Sequence, residues 1–247
     1  MKNKLCLGLL AIASGAYVLR RLGMRWGATD DEVHRPLPGD ELVPHPMLET
    51  THAISIHASP SDIWPWLVQM GYDRGWWYTD ARWYKWVDKY IWHTSHPASP
   101  DRIVPELQLL EPGDTILDGP PGTAFFTVAR IEPEHVLGLF STTHILMMAP
   151  ASLRNNPKVG LHGEFSWVFI LDEKQEGMTR LIVRTRASYE PKMFRMLTRP
   201  ILFPADFLMA RMMLQAIKQR VEGNSAQAPD GIAEMIPHQV LQDMSHV

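Results

Sequence analysis

Cysteine is nearly absent from this 247-residue chain. Cys6 is the single one, so no intrachain disulfide can form and the fold must be held by its core. Strong charge of either sign is also lacking. A net charge of −3 at pH 7 excludes the broad basic surface that nucleic-acid backbones require, and no nucleic-acid partner is expected. There is no Gly-x-Ser-x-Gly elbow, no phosphate-cradling loop and no internal repeat. His93 and His96 sit in a Ser/Pro-rich stretch, and His162 has only Glu164 near it. That falls short of the three or four converging ligands a metal needs, so no metal and no cofactor is expected.

Long apolar runs are equally scarce. The one candidate covers residues 5–19, preceded by Lys2 and Lys4 and followed by Arg20, Arg21 and Arg25. As a helix it reaches roughly 22 Å, less than the bilayer core of about 30 Å. Flanking cations help a short segment span. Ser14-Gly15-Ala16 also reads as a signal-cleavage site, and a helix packed on the domain is the third alternative. The expectation is a membrane-associated protein whose residues 1–26 are anchor or signal. The downstream arginines favour a cytoplasmic domain, with an exported form after cleavage left open.

What the chain has in abundance is tryptophan. Seven of its nine fall between Trp64 and Trp92, with Tyr72, Tyr78, Tyr84 and Tyr90 among them. Such rings combine apolar area with a polar tip and suit walls that meet a ligand.

Residues 27–50, rich in proline and acid, read as an extended arm. The alternation over 51–57 predicts a strand. Ser59, Pro60 and Asp62 then supply a helix start, and Gly71 a stop. Trp83, Trp86, Val87 and Tyr90 share one face of a second helix over 81–91, a stripe that serves either as core packing or as a cavity wall. Strands are expected at 107–110, 115–117, 125–131 and 136–141. Two longer ones place Phe165, Trp167, Phe169 and Leu171 on one face, and Leu181, Val183, Thr185 and Ala187 opposite Arg180, Ile182, Arg184 and Arg186. The alternating arginines mark a wet face, or anchor an anionic headgroup. Ile145 to Met148 reads as a lid, a membrane-dipping patch or a continued strand. Phe203, Phe207, Ala210, Leu214, Ile217 and Val221 predict a terminal helix, with Pro200 and Pro204 breaking off an earlier piece near 192–198. Residues 223–247 read as a flexible tail.

Strand, two short helices, antiparallel strands and a closing helix make an α+β order. With the Ala58-Ser59-Pro60 entry, Ile63-Trp64, Leu67, the Ser166-Trp167-Val168-Phe169 strand, and Asp101 to Gln108 followed by Pro112-Gly113-Asp114, the chain resembles the START/Bet v1-like (SRPBCC) superfamily of polyketide cyclase/dehydrase and lipid-transport type, uncharacterised bacterial branch. The resemblance covers about residues 27–222. It implies a helix-grip domain, a curved antiparallel sheet wrapped around a long C-terminal helix, with a cavity for a hydrophobic ligand. The expected function is binding, and in some members transport, of a hydrophobic small molecule or lipid. The alternative is a cyclase/aromatase- or dehydratase-like enzyme using the same cavity, for which no catalytic residue is assigned. Trp64, Trp83, Trp86, Phe125, Trp167, Phe169, Phe207 and Leu214 are the expected wall. Asp101, Arg102 and Glu106 are candidates for polar contacts at its mouth, or else a salt-bridged turn.

Overall fold

The computed structural model describes residues 23–79, 99–148, 154, 159–175, 177–191 and 194–225. Its centre is one antiparallel sheet. The strands are β1 (Leu48–Ile56), β2 (Thr115–Leu117), β3 (Phe125–Glu132), β4 (Val136–Ser141), β5 (His162–Gln175) and β6 (Met178–Glu190). Their spatial order is β1-β6-β5-β4-β3-β2. From β3 on, each strand pairs antiparallel with its predecessor, and β6 returns to pair with β1, from Leu48 opposite Ala187 to Ile56 opposite Thr179. The closing helix α4 (Phe194–Ser225) packs on β1 and β6. A curved antiparallel sheet gripping one long C-terminal helix is a helix-grip α+β fold.

Alternation decides which side chains face the helix. Phe169 and Trp167 on β5, Leu181 and Val183 on β6, and Leu137 and Leu139 on β4 join Met213, Leu214, Ile217 and Val221 of α4 in one buried core. The opposite residues of the same strands, Val168, Ile170 and Ile182, form a second cluster with Ala53 and Leu37. Both faces of the sheet are therefore covered.

The cover on the back face is the N-terminal arm, and here the structure departs from the sequence reading. Residues 27–50 are not simply extended. They contain a short helix α1 (Asp30–His34), opened by a Thr29/Glu32 capping box, and a 3-10 turn at Asp40–Leu42. The arginines expected on a wet face lie beneath this arm. The Arg184 side chain is 3% exposed. It donates to Thr51 Oγ1, Asp40 Oδ2 and the carbonyls of Glu32, Val33 and Arg35. All five guanidinium N–H groups are thereby used, which is what makes burial of the charge tolerable. Arg180 binds Glu32 at 2.7 and 2.9 Å and also donates to the Gly27 carbonyl. Arg186 binds Glu49 at 2.8 Å.

Helix α2 (Pro60–Val68) forms as its signals dictate. Ser59 accepts from the Asp62 backbone while Asp62 returns the bond, and Pro60 stands at the first turn. Three other expectations fail. Residues 107–110 form no strand; Pro105–Leu107 is a 3-10 turn. The buried Gln69 holds that loop, accepting from the Val104 backbone at 3.0 Å and donating to the Arg102 carbonyl at 3.3 Å. His144–Met148 is a helix, α3, rather than a continued strand. Helix α4 runs unbroken through Pro200 and Pro204. Each proline removes one backbone bond, and a long helix with tertiary packing survives that loss. The predicted helix over 81–91, the residues before 23 and the tail beyond 225 lie outside the described residues.

Trp26 packs against the main core, and its carbonyl accepts from the Ala53 backbone at 3.1 Å.

Candidate functional site: an aromatic wall with a histidine at its end

The inner face of β3, β4 and β5 carries a continuous ring cluster. Trp167 lies between Phe165 (ring centroids 6.4 Å apart) and Phe169 (5.8 Å) along β5. From β3, Phe126 stacks on Trp167 at 5.9 Å with planes 14° apart. Trp77, in the loop after α2, closes the group at 5.5 Å from Trp167 and 5.8 Å from Phe126. Offset and edge contacts of this kind contribute about 0.5–1.5 kcal/mol each beyond area burial. Trp77 and Phe126 are fully buried, whereas Phe165 remains half-buried. The wall is thus closed at its centre, and its least buried ring, Phe165, lies at the α3 end.

His144, the first residue of α3, stands at that end. Its ring lies 4.1 Å from Phe126 and 5.1 Å from Phe165. Its Nε2 is 2.9 Å from the Asp118 carboxylate and its Nδ1 2.7 Å from Ser141 Oγ. The carboxylate can only accept, so Nε2 carries the proton; in the neutral ring Nδ1 then accepts from the Ser141 hydroxyl. The backbone N–H of Thr143 donates to Ser141 Oγ at 3.0 Å, fixing that hydroxyl in turn. The His144 side chain keeps 13% of its surface exposed. The arrangement can hold a proton at a defined place beside an apolar wall.

A second polar cluster sits where α4 meets β1 and β6. Asp206 Oδ2 accepts from Thr50 Oγ1 at 2.6 Å and lies 3.0 Å from His52 Nε2, while Oδ1 accepts from Thr185 Oγ1 at 2.8 Å. This carboxylate fixes the position of the closing helix on the sheet.

The expected wall residues are distributed unevenly. Trp167 and Phe169 stand on the inner face of β5, and Leu214 is buried against them in the same core. Trp64 on α2 is half-buried at the edge of that core. Phe207 lies on α4 beside His52, ring centroids 6.3 Å apart. Phe125 is one residue out of phase: Phe126 takes the inner position, and Phe125 faces the other way on β3. Trp83 and Trp86 lie outside the described residues. Asp101, Arg102 and Glu106 are exposed in the loop that Gln69 holds.

Sequence reasoning missed Trp77, Asp118, Ser141 and His144. They come from three separate segments, Ser141 and His144 sharing one turn, so only the folded sheet brings Trp77 and Asp118 to that turn. Among the described residues no group of three His, Cys, Asp or Glu side chains gathers as a metal site. A surface cleft of about 280 Å³, lined by Arg35, Pro38, His135, Ile170 and Asp172 among others, lies on the arm side of the sheet rather than at the wall. No helix among the described residues is long and apolar enough to cross a membrane.

No protein-family model matches the sequence, and no curated protein matches it. Solved structures similar to it include protein MLL2253 from Mesorhizobium loti, with TM-score 0.38 and 12% identity over 70% of this chain and 97% of that one. Truncated norcoclaurine synthase from Thalictrum flavum has TM-score 0.37 and 14% identity over 70% and 92%. CalU16 from Micromonospora echinospora has TM-score 0.31 and 15% identity over 72% and 86%. Likeness at this level carries no conclusion about ligand or reaction.

Proposed function

We propose that this protein binds a hydrophobic small molecule or lipid between the inner face of the sheet and α4, entering at the His144 end. The observation that carries the reading is the aromatic wall of Trp77, Phe126, Phe165 and Trp167, closed at its centre and least buried toward Phe165 and His144. Affinity arises from desolvating apolar guest surface, at roughly 25 cal/mol per Å² before the costs of association. Trp64, Phe169, Phe207 and Leu214 support the wall from α2, β5 and α4. Trp83 and Trp86 remain proposed wall residues, with Asp101, Arg102 and Glu106 proposed as polar contacts.

The test is titration with the fluorescent probe 1-aminoanthracene. Phe165→Ala removes apolar contact worth on the order of 1–1.5 kcal/mol, so binding weakens about tenfold, while melting temperature falls by only a few degrees. Unchanged probe affinity in that variant contradicts the reading.

A second reading, a cyclase- or dehydratase-like enzyme, draws on the carboxylate-paired His144 beside the same wall. There His144 moves a proton at Nδ1 and Asp118 holds the ring. His144→Gln then abolishes turnover while leaving probe binding intact; loss of both together contradicts the enzymatic role.

The N-terminal run over residues 5–19 is proposed as a membrane tether. Deleting residues 1–21 spares Trp26 and its contacts, and releases a folded protein from the membrane fraction. A full-length protein found entirely in the soluble fraction, uncleaved, contradicts the tether.

A further inference from the structure

Two hydrogen-bond donors in the aromatic wall are unspent. The indole nitrogens of Trp77 and Trp167 are both buried without a hydrogen-bond partner. The two residues are 2% and 4% exposed, and their rings lie 5.5 Å apart. Buried donors are nearly always paired, because an unmade bond leaves the full desolvation penalty uncompensated. The neighbouring Trp76 shows the usual solution, donating from Nε1 to Thr79 Oγ1 at 3.0 Å. Two such unpaired donors stand side by side on one wall.

The chemistry around them narrows the class. Indole N–H groups are neutral donors and suit a neutral oxygen. The carboxylate joined to this cluster, Asp118 through His144, disfavours an anionic guest. The stacked Phe126–Trp167 pair and the tilted Trp77 ring offer flat apolar faces, which match a planar ring system better than a flexible alkyl chain.

Resting on the hydrophobic-guest reading above, we infer that the guest is a neutral aromatic or fused-ring molecule bearing a carbonyl or similar oxygen. Trp77 and Trp167 donate to that oxygen from their indole nitrogens. The pair sets which hydrophobic molecules are accepted, as distinct from how tightly apolar surface as such is held.

A matched set of probes tests this by calorimetry on the full chain: 2-acetylnaphthalene, 2-ethylnaphthalene and 2-naphthoate. The first two differ in the carbonyl alone, and the third replaces it with a carboxylate. The wild-type protein binds the ketone about tenfold tighter than the hydrocarbon, the value of one buried hydrogen bond, and tighter than the carboxylate. Trp77→Phe and Trp167→Phe keep an aromatic ring and remove the N–H. Each narrows the ketone preference, read as the ratio of ketone to hydrocarbon affinity within the same variant so that lost apolar contact cancels, and the double variant erases it. Equal wild-type affinity for ketone and hydrocarbon overturns the inference while leaving guest binding intact. The edge-on Trp77–Phe126 and Trp167–Phe169 contacts would then be where the N–H groups are spent. Binding of neither probe overturns the hydrophobic-guest reading together with this inference. The wild-type comparison needs no variant, so a Phe variant that fails to fold does not leave the matter open.

Discussion

Arg184→Ala is the perturbation that the structure constrains most tightly. The wild-type guanidinium is buried, and its five donors are met by Thr51, Asp40 and three carbonyls at or just after the end of α1. Truncation leaves Asp40 with Arg186 at 3.6 Å as its remaining cation and the three carbonyls without this donor. Breaking a buried, fully bonded charge costs about 3–5 kcal/mol. The arm is at the surface, so part of that cost is relieved when it peels away and its carbonyls meet water, which favours the lower end. At about 2–4 °C per kcal/mol for a domain of this size, the melting temperature falls by roughly 6–20 °C. The assay is thermal unfolding by circular dichroism, paired with limited proteolysis, because a peeled arm is cut between residues 27 and 47 before the sheet unfolds. Arg184→Lys keeps a charge but offers a compact ammonium in place of a planar fork, and recovers less than half of the loss. A melting temperature within about 2 °C of wild type, equivalent to at most about 1 kcal/mol, with no new cleavage, would refute the account of the arm.

The same arm responds to acid. Burial pushes the Glu32 carboxyl up, but the bonds from Arg180 and the Thr29 backbone outweigh it, and the net value lies below the usual 4.5. A depressed carboxylate contributes stability that is complete above 4.5 and lost as pH falls through the folded value. Glu32→Gln therefore flattens the acid limb of the pH–stability curve below about 4.5; an identical limb in both proteins counts against it. Gly39 has φ +91°, and a Cβ there would meet Val168 Cγ2 at 2.7 Å and Cγ1 at 2.9 Å. Gly39→Ala thus strains the backbone and pries the arm from β5, lowering stability by about 1–3 kcal/mol in urea unfolding; a neutral result would mean that the arm does not press on the sheet. Asp206→Ala strips the acceptor from Thr50, His52 and Thr185, at a cost of roughly 3–5 kcal/mol by the same measure. A change below about 1 kcal/mol would show that the carboxylate does not fix α4.

Local chemistry made much of this fold legible. The Ser59–Asp62 capping box set the start of α2, and the strict alternation of β5 put Phe165, Trp167 and Phe169 on the face that α4 covers. Where the reading failed, the deciding partner was distant in sequence. Arg184 alternates like a solvent-facing residue, and its burial depends on partners 133–152 positions away in β1 and the arm. Residues 107–110 carry strand-like composition, yet Gln69 and Pro105 hold the chain in a turn. The choice of Phe125 over Phe126 was a register error of one residue, which alternation converts into the wrong face. The His144 site was invisible for a related reason. Asp118 follows β2, and Ser141 and His144 follow one another at the end of β4, so they meet only after β2, β3 and β4 have paired.

The claim most in need of a direct test is that the inner wall receives a guest. Assigned indole N–H resonances, followed by ¹H–¹⁵N NMR during titration with 2-acetylnaphthalene, report on it residue by residue. The account predicts saturable shifts at Trp77 and Trp167 while Trp26 stays in place. Saturable binding that leaves both wall indoles unmoved, with shifts confined to residues of the arm face such as Val136 and Ile170, would contradict it.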